Sequence, residues 1–201
     1  MKVLNPQQSY TFSTLFEINA DIDDLVADFD YQLTRTELNL RQFSGELAGV
    51  DAMRQKVKRI LPLVNLNTEI SRREILISRV VTEVVDYTQA QLRIEYPLKV
   101  SHHLQGNLDY LLRKDNQVVV IEAKKEDFVN GMKQLAVEMI ALDHWLTAEQ
   151  PRILGAITTG NFWQFSQLDR PAKLIQLGLE NYRFPEDGES LLRILIQALI
   201  E

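Results

Sequence analysis

The segment GNLDYLLRKDNQVVVIEAKK, Gly106 to Lys125, restricts the fold more than any other stretch of the chain. Two apolar runs flank the polar run Lys114-Asp115-Asn116-Gln117, a pattern that predicts a β-hairpin reversing at Asp115 and Asn116. A two-residue loop pairs Lys114 with Gln117 and thereby fixes every other pair. Arg113 faces Val118, Leu111 faces Val120, Asp109 faces Glu122 and Asn107 faces Lys124, all on one side of the hairpin because side chains alternate. Two acids and one ammonium therefore converge among residues suited to a core. Val118, Val120 and Leu111 on that side argue against the plainer reading, an edge hairpin whose polar groups face water.

Directly opposed carboxylates repel, so this register is unfavourable unless positive charge lies between them. Lys124 neutralises part of the pair. A divalent cation does so more fully, and two carboxylates with coordination positions left for water suit Mg2+ or Mn2+. The spacing Glu-x-Lys sets the Lys124 ammonium beside such an ion without making it a ligand.

The flanking segments alternate in type. NTEISRREILISRVVTEVVDY carries the strongest helical pattern, with Leu76, Ile77, Val80, Val81 and Val84 at three- and four-residue intervals and Asn67 or Thr68 as cap. Glu69 lies eleven residues before Val80, about three turns, and so on the buried azimuth. A helix N-terminus also favours an acid through the macrodipole, which gives Glu69 a structural reading of equal weight. After the hairpin, FVNGMKQLAVEMIALDHWL has a stripe of Met132, Leu135, Met139 and Leu142, bordered by Gln134 and Glu138. ILGAITTG, FWQFSQL and AKLIQLGL read as strands, and ESLLRILIQALI as a closing helix. This order predicts an α/β sandwich with a mixed central sheet flanked by helices.

Upstream, YTFSTLFEI and YQLTRTELNL read as strands around the short amphipathic DIDDLVADF. Residues 1–45 are therefore expected to form a small β-α-β appendage ending near Ser44 and Gly45, with residues 46–201 as the main domain. DAMRQKVKRILPLV reads as a helix stopped by Pro62, with Met53, Val57, Ile60 and Leu61 on one face and Arg54, Lys56, Lys58 and Arg59 on a solvated remainder.

Composition acts mainly by exclusion. The absence of cysteine removes disulfides, thiol catalysis and cysteine-ligated metals, leaving oxygen and histidine as ligands. His102 and His103, adjacent in a strand, are expected to point to opposite faces and not to share an ion. A net charge of −6 argues against coating nucleic acid by bulk electrostatics; a local basic groove, recruitment by a partner or a homodimer bringing two sites together remain open. No apolar run approaches the roughly 20 residues of a membrane span, and MKVLNPQQSY lacks a secretory apolar region, so a cytoplasmic location is expected. Gly-rich phosphate loops, His-Glu-x-x-His and Gly-x-Ser-x-Gly do not occur.

Leu108-Asp109, twelve intervening residues and Glu122-Ala123-Lys124 together resemble the PD-(D/E)XK phosphodiesterase superfamily, the restriction-endonuclease-like fold. Leu108 stands where the family motif has proline. The resemblance covers about Asn65 to Gln167. It implies a Mg2+- or Mn2+-dependent nuclease, with DNA expected ahead of RNA as substrate, and with Asp109, Glu122 and the carbonyl of Ala123 as metal ligands. It further implies that Glu69 binds a second ion or orients a water, that Lys124 positions the attacking water, and that Gln134 contacts substrate or solvent near the metal. The same fold includes members that bind without cutting, so an inactive nucleic-acid-binding or assembly module is the alternative. Arg72, Arg73, Lys125 and Lys133 are candidate phosphate contacts, and Phe162, Trp163 and Phe165 candidate stacking groups for bases. Their plainer readings are exposed charges and core packing.

Overall fold

Apolar periodicity decides most of the architecture. The computed structural model describes residues 2–124, 127–147 and 150–200. In chain order these form α1 (Phe12–Phe16), α2 (Ile22–Ala27), β1 (Gln32–Thr36), α3 (Val50–Ile60), α4 (Glu69–Arg72), α5 (Ser78–Thr88), β2 (Gln91–Lys99), β3 (Gln105–Lys114), β4 (Gln117–Ala123), α6 (Phe128–Trp145), β5 (Arg152–Thr158), β6 (Phe162–Asp169), β7 (Leu174–Arg183) and α7 (Gly188–Ile200). A π-helical turn, Arg73–Ile77, joins α4 to α5, and a 3-10 turn containing Pro62 follows α3.

All seven strands belong to one mixed sheet in the order β1-β7-β6-β5-β4-β3-β2. β1 runs parallel to β7 and β4 parallel to β5, while the remaining neighbours are antiparallel. Val118 and Val120 pack to one side of β4 with α6, and Val119 and Ile121 to the other with α5 and α7. Cover on both faces explains why β4 reads as an unbroken apolar run rather than an alternation. The predicted helix side chains Leu76, Ile77, Val80, Val81 and Val84 are all buried against that second face, each contributing roughly 1.5–3 kcal/mol. No helix among the described residues is long and apolar enough to cross a membrane.

The first 45 residues differ from the expected β-α-β unit. YTFSTLFEI contains a helix, α1, because Thr11 and Thr14 form a reciprocal capping box: the Thr11 hydroxyl accepts from the Thr14 amide at 3.2 Å, and the Thr14 hydroxyl accepts from the Thr11 amide at 2.7 Å. Local hydrogen bonding overrides the strand propensity of the aromatic and β-branched residues. β1 enters the main sheet, with Gln32 opposite Leu174, and Phe12, Leu15, Leu25 and Val26 join the core that contains α6. The connection after β1 is also held, since Arg193 of α7 donates to the carbonyls of Phe43 and Gly45.

This arrangement changes α6. α1 and α2 lie over it on the side away from the sheet, so every residue from Gly131 to Leu142 is buried. The expected stripe of Met132, Leu135, Met139 and Leu142 is present, and the helix is also enclosed around its polar positions. Buried polar groups need partners. Lys133 donates to the Ile18 carbonyl at 3.0 Å, whereas Gln134 and Glu138 turn toward β4.

Candidate active site

The hairpin keeps the expected register from its turn to Tyr110. Lys114 pairs with Gln117, Arg113 with Val118, Leu111 with Val120 and Tyr110 with Ile121. There the ladder ends. The expected direct opposition of Asp109 to Glu122 and of Asn107 to Lys124 is not formed, although β4 stays paired with β5 along its other edge. Ala123 pairs with Thr158, and the Lys124 amide donates to the Thr158 carbonyl at 2.8 Å. Asp109 bridges the opening with its side chain: Oδ2 accepts from the Ala123 amide at 2.7 Å. A carboxylate thus replaces a backbone acceptor where the strands part.

Glu122, 1% exposed, lies on the α6 side with its Oε1 2.6 Å from Lys124 Nζ. Lys124 Nζ also donates to Gln134 Oε1 at 2.9 Å, and Gln134 Nε2 donates to Glu138 Oε1 at 2.8 Å. Among the described residues neither Glu122 Oε2 nor Glu138 Oε2 has a hydrogen-bond partner. The four side chains form a chain from Glu122 through Lys124 and Gln134 to Glu138, and its two bonds to Gln134 fix that amide. Gly131 lets α6 approach this closely: a Cβ there would lie 2.3 Å from Ile157 Cδ1 and 3.0 Å from Lys124 Cγ.

Electrostatics follow from burial. Burial pushes the Glu122 carboxyl up to about 8, with the nearby Asp109 charge adding to the shift and Lys124 opposing it. Glu138 is held well above the usual carboxylate range by burial and by Glu122. Asp109 is raised by burial, against the Ala123 hydrogen bond and the Arg73 charge. For Lys124 burial acts downward, but the facing Glu122 carboxylate outweighs it and the net shift is upward.

Arg73 closes the other side. Its Nη1 is 2.6 Å from Glu95 Oε1 and 3.4 Å from Asp109 Oδ1, its Nε donates to the Tyr110 hydroxyl at 3.2 Å, and its guanidinium carbon lies 5.0 Å from the Tyr110 ring centre. Glu69 is half-buried rather than on the fully buried azimuth, because the π turn between it and Val80 breaks the 3.6-residue repeat on which that placement rested. It remains within the electrostatic reach of Asp109, Lys124 and Arg73, and burial raises its carboxyl.

Other candidates separate from the site. Arg72 donates to the Leu66 and Thr159 carbonyls and Lys133 to Ile18, so both are anchored to backbone rather than to the acids of the site. Trp163 and Phe165 are core residues, and only Phe162 of the three aromatics is exposed. His102 and His103 lie in a bend rather than a strand, which brings their rings to 4.1 Å. Lys125 lies outside the described residues. Among the described residues no group of three or more His, Asp or Glu is arranged to hold a metal ion, there or at the hairpin.

Three contributors were not singled out in the sequence. Glu95 would follow from the β2–β3 register, since Ile94 pairs with Tyr110 and Tyr96 with Leu108 on either side of Glu95 and Asp109. Tyr110 follows from Arg73 once the helix is placed. Phe16, whose ring centre is 4.9 Å from Lys124 Nζ, arrives from α1 and has no local signal.

No protein-family model matches this sequence, and no curated protein matches it.

Proposed function

We propose that this chain is a metal-dependent phosphodiesterase of the PD-(D/E)XK type, with a restriction-endonuclease-like fold, that hydrolyses DNA. The observation that carries the reading is the parting of β3 and β4, where Asp109 reaches across to Ala123 while Glu122 and Lys124 meet at 2.6 Å. Asp109 there caps a backbone amide, but a plain structural hairpin has no need of the buried Glu122 carboxylate and its ammonium partner.

The donor set suits a hard divalent cation. Among the described residues Glu122 and Glu138 each bury an Oε2 without a hydrogen-bond partner, and burial raises the Asp109 and Glu122 carboxyls despite their neighbouring cations, leaving acceptor capacity that a cation can use. Asp109, Glu122 and the Ala123 carbonyl would hold Mg2+ or Mn2+, with Glu69 as a further acid nearby. When bound, the ion supplies Lewis acidity and makes water more acidic. Lys124 presents an ammonium fixed by Glu122 and Gln134, able to orient a water and to offset charge gathering on phosphoryl oxygens. Gln134 acts by holding that ammonium. The test is incubation of the purified chain with single- and double-stranded DNA and Mg2+ or Mn2+, beside Lys124→Ala; cleavage that is lost in the variant is expected, and no cleavage by the parent chain refutes the reading.

One observation favours a second reading. Asp109 and Glu122 both already face a protein cation, Arg73 and Lys124 respectively. A non-catalytic nucleic-acid-binding or assembly module would keep those pairs closed, and it would bind DNA without cutting it.

A further inference from the structure

The guanidinium of Arg73 is held more elaborately than charge neutralisation needs. Its shortest bond is not to Asp109, at 3.4 Å, but to Glu95, at 2.6 Å, on the edge strand β2. Tyr110 supports it twice, through its hydroxyl at 3.2 Å and through its ring at 5.0 Å. These contacts use Nε and Nη1. The two donors on Nη2 have no hydrogen-bond partner among the described residues. The side chain is 16% exposed, so the guanidinium is not sealed in the core.

Two backbone irregularities converge on this one group. Arg73 opens the π turn that interrupts the α4–α5 helix, and Glu95 has a φ of 52°, a left-handed conformation that non-glycine residues seldom adopt. Backbone held in such regions persists where surrounding contacts require it, and it clusters at functional sites. Here one irregularity carries the guanidinium that reaches Asp109 and the other carries its shortest partner.

From this arrangement we infer that Arg73 is a phosphate-contact residue of the site and that Glu95 is its positioning residue. Planar guanidinium donors match two oxygens of a phosphodiester, which a lysine ammonium at the same point cannot do. Arg73 lies 3.4 Å from Asp109 and Lys124 2.6 Å from Glu122, so the phosphoryl group meets a cation beside each acid. The inference rests on the nuclease reading, and it adds the residue that grips the backbone.

The test uses the full chain with a fluorescein-labelled DNA duplex in Ca2+, read by anisotropy at several salt concentrations, with Mn2+ binding measured separately by calorimetry. Arg73→Gln is expected to weaken duplex binding about tenfold and to lower the slope of log affinity against log salt by about one, the signature of one lost phosphate contact. Mn2+ affinity is expected to be undiminished. Arg73→Lys should restore the slope and only part of the affinity, and it decides the matter if thermal unfolding shows that Arg73→Gln does not fold. Glu95→Gln keeps the guanidinium charge but loosens its anchor, so in cleavage assays its turnover should fall more than its KM rises. Duplex binding by Arg73→Gln equal to the parent's, or a loss of Mn2+ binding in its place, overturns the inference alone. Failure of the parent chain to bind the duplex overturns the nuclease reading and this inference together.

Discussion

The two ends of the β3–β4 hairpin obey different rules. At the turn, Lys114 pairs with Gln117 and the ladder runs on regularly, with Asp115 and Asn116 exposed to water. At the other end the ladder stops after Tyr110 and Ile121, and the Asp109 side chain takes over the backbone's work. The turn end can be read from residue types alone because every group there meets its partner or solvent. The open end is held by side chains that come from four other elements, which makes it sensitive to changes that the turn would absorb.

The largest expected difference between the ends concerns Lys124. Lys124→Ala should lower DNA cleavage by at least about a hundredfold, the scale seen when a group facing developing charge is removed, as measured in single-turnover assays. Asp109 should separate chemistry from folding. Asp109→Ala leaves the Ala123 amide without its acceptor and should cost about 1–3 kcal/mol in denaturant unfolding, whereas Asp109→Asn keeps an acceptor oxygen, loses the charge, and should lose cleavage with a smaller stability change. Gly131→Ala drives a Cβ into Ile157 and Lys124; a loss of roughly 1–3 kcal/mol is expected, together with slower cleavage, and an unaltered unfolding midpoint would show that α6 can shift away from β4.

A pH titration sharpens the contrast. The folded state raises the Glu122 carboxyl from its ordinary 4.5 to about 8 and raises Glu138 as well, so between those limits the folded chain binds protons that the unfolded chain has released. The sign is fixed by linkage: this contribution to stability falls as pH rises from about 4.5 to about 8. Metal-free protein should therefore unfold more easily at pH 8 than at pH 5, Mg2+ should recover part of the loss at pH 8, and Glu138→Gln should flatten the profile. Thermal unfolding with and without chelator measures all three. The smallest effect is expected at the turn, where Asn116→Ala should change stability by no more than about 0.5 kcal/mol and leave cleavage untouched.

Local chemistry accounts for what the sequence disclosed. A polar turn between apolar runs announces the hairpin, and helical stripes announce the α5 core face and the closing helix, because each pattern follows from local backbone geometry. Asp109, Glu122 and Lys124 stood out because they violate that pattern. What stayed hidden depends on distant partners. Nothing near Phe16 announces that it will lie over Lys124, and the stripe on α6 does not reveal that α1 and α2 enclose the opposite side. The Glu69 placement failed for another reason: a single π turn changes the phase of a helix, and no residue type in REILI announces it.

The pairing of β1 with β7 has a consequence for biosynthesis. Gln32 leaves the ribosome long before its neighbour Leu174 is made, so an early strand must wait, with its apolar companions in α1 and α2, for nearly the whole chain to emerge. Contacts this remote in sequence slow folding and prolong the exposure of sticky intermediates. Chaperone demand during synthesis should accordingly be set by the first forty residues, and a version permuted to start after β1 and to end with it should fold faster than the natural order.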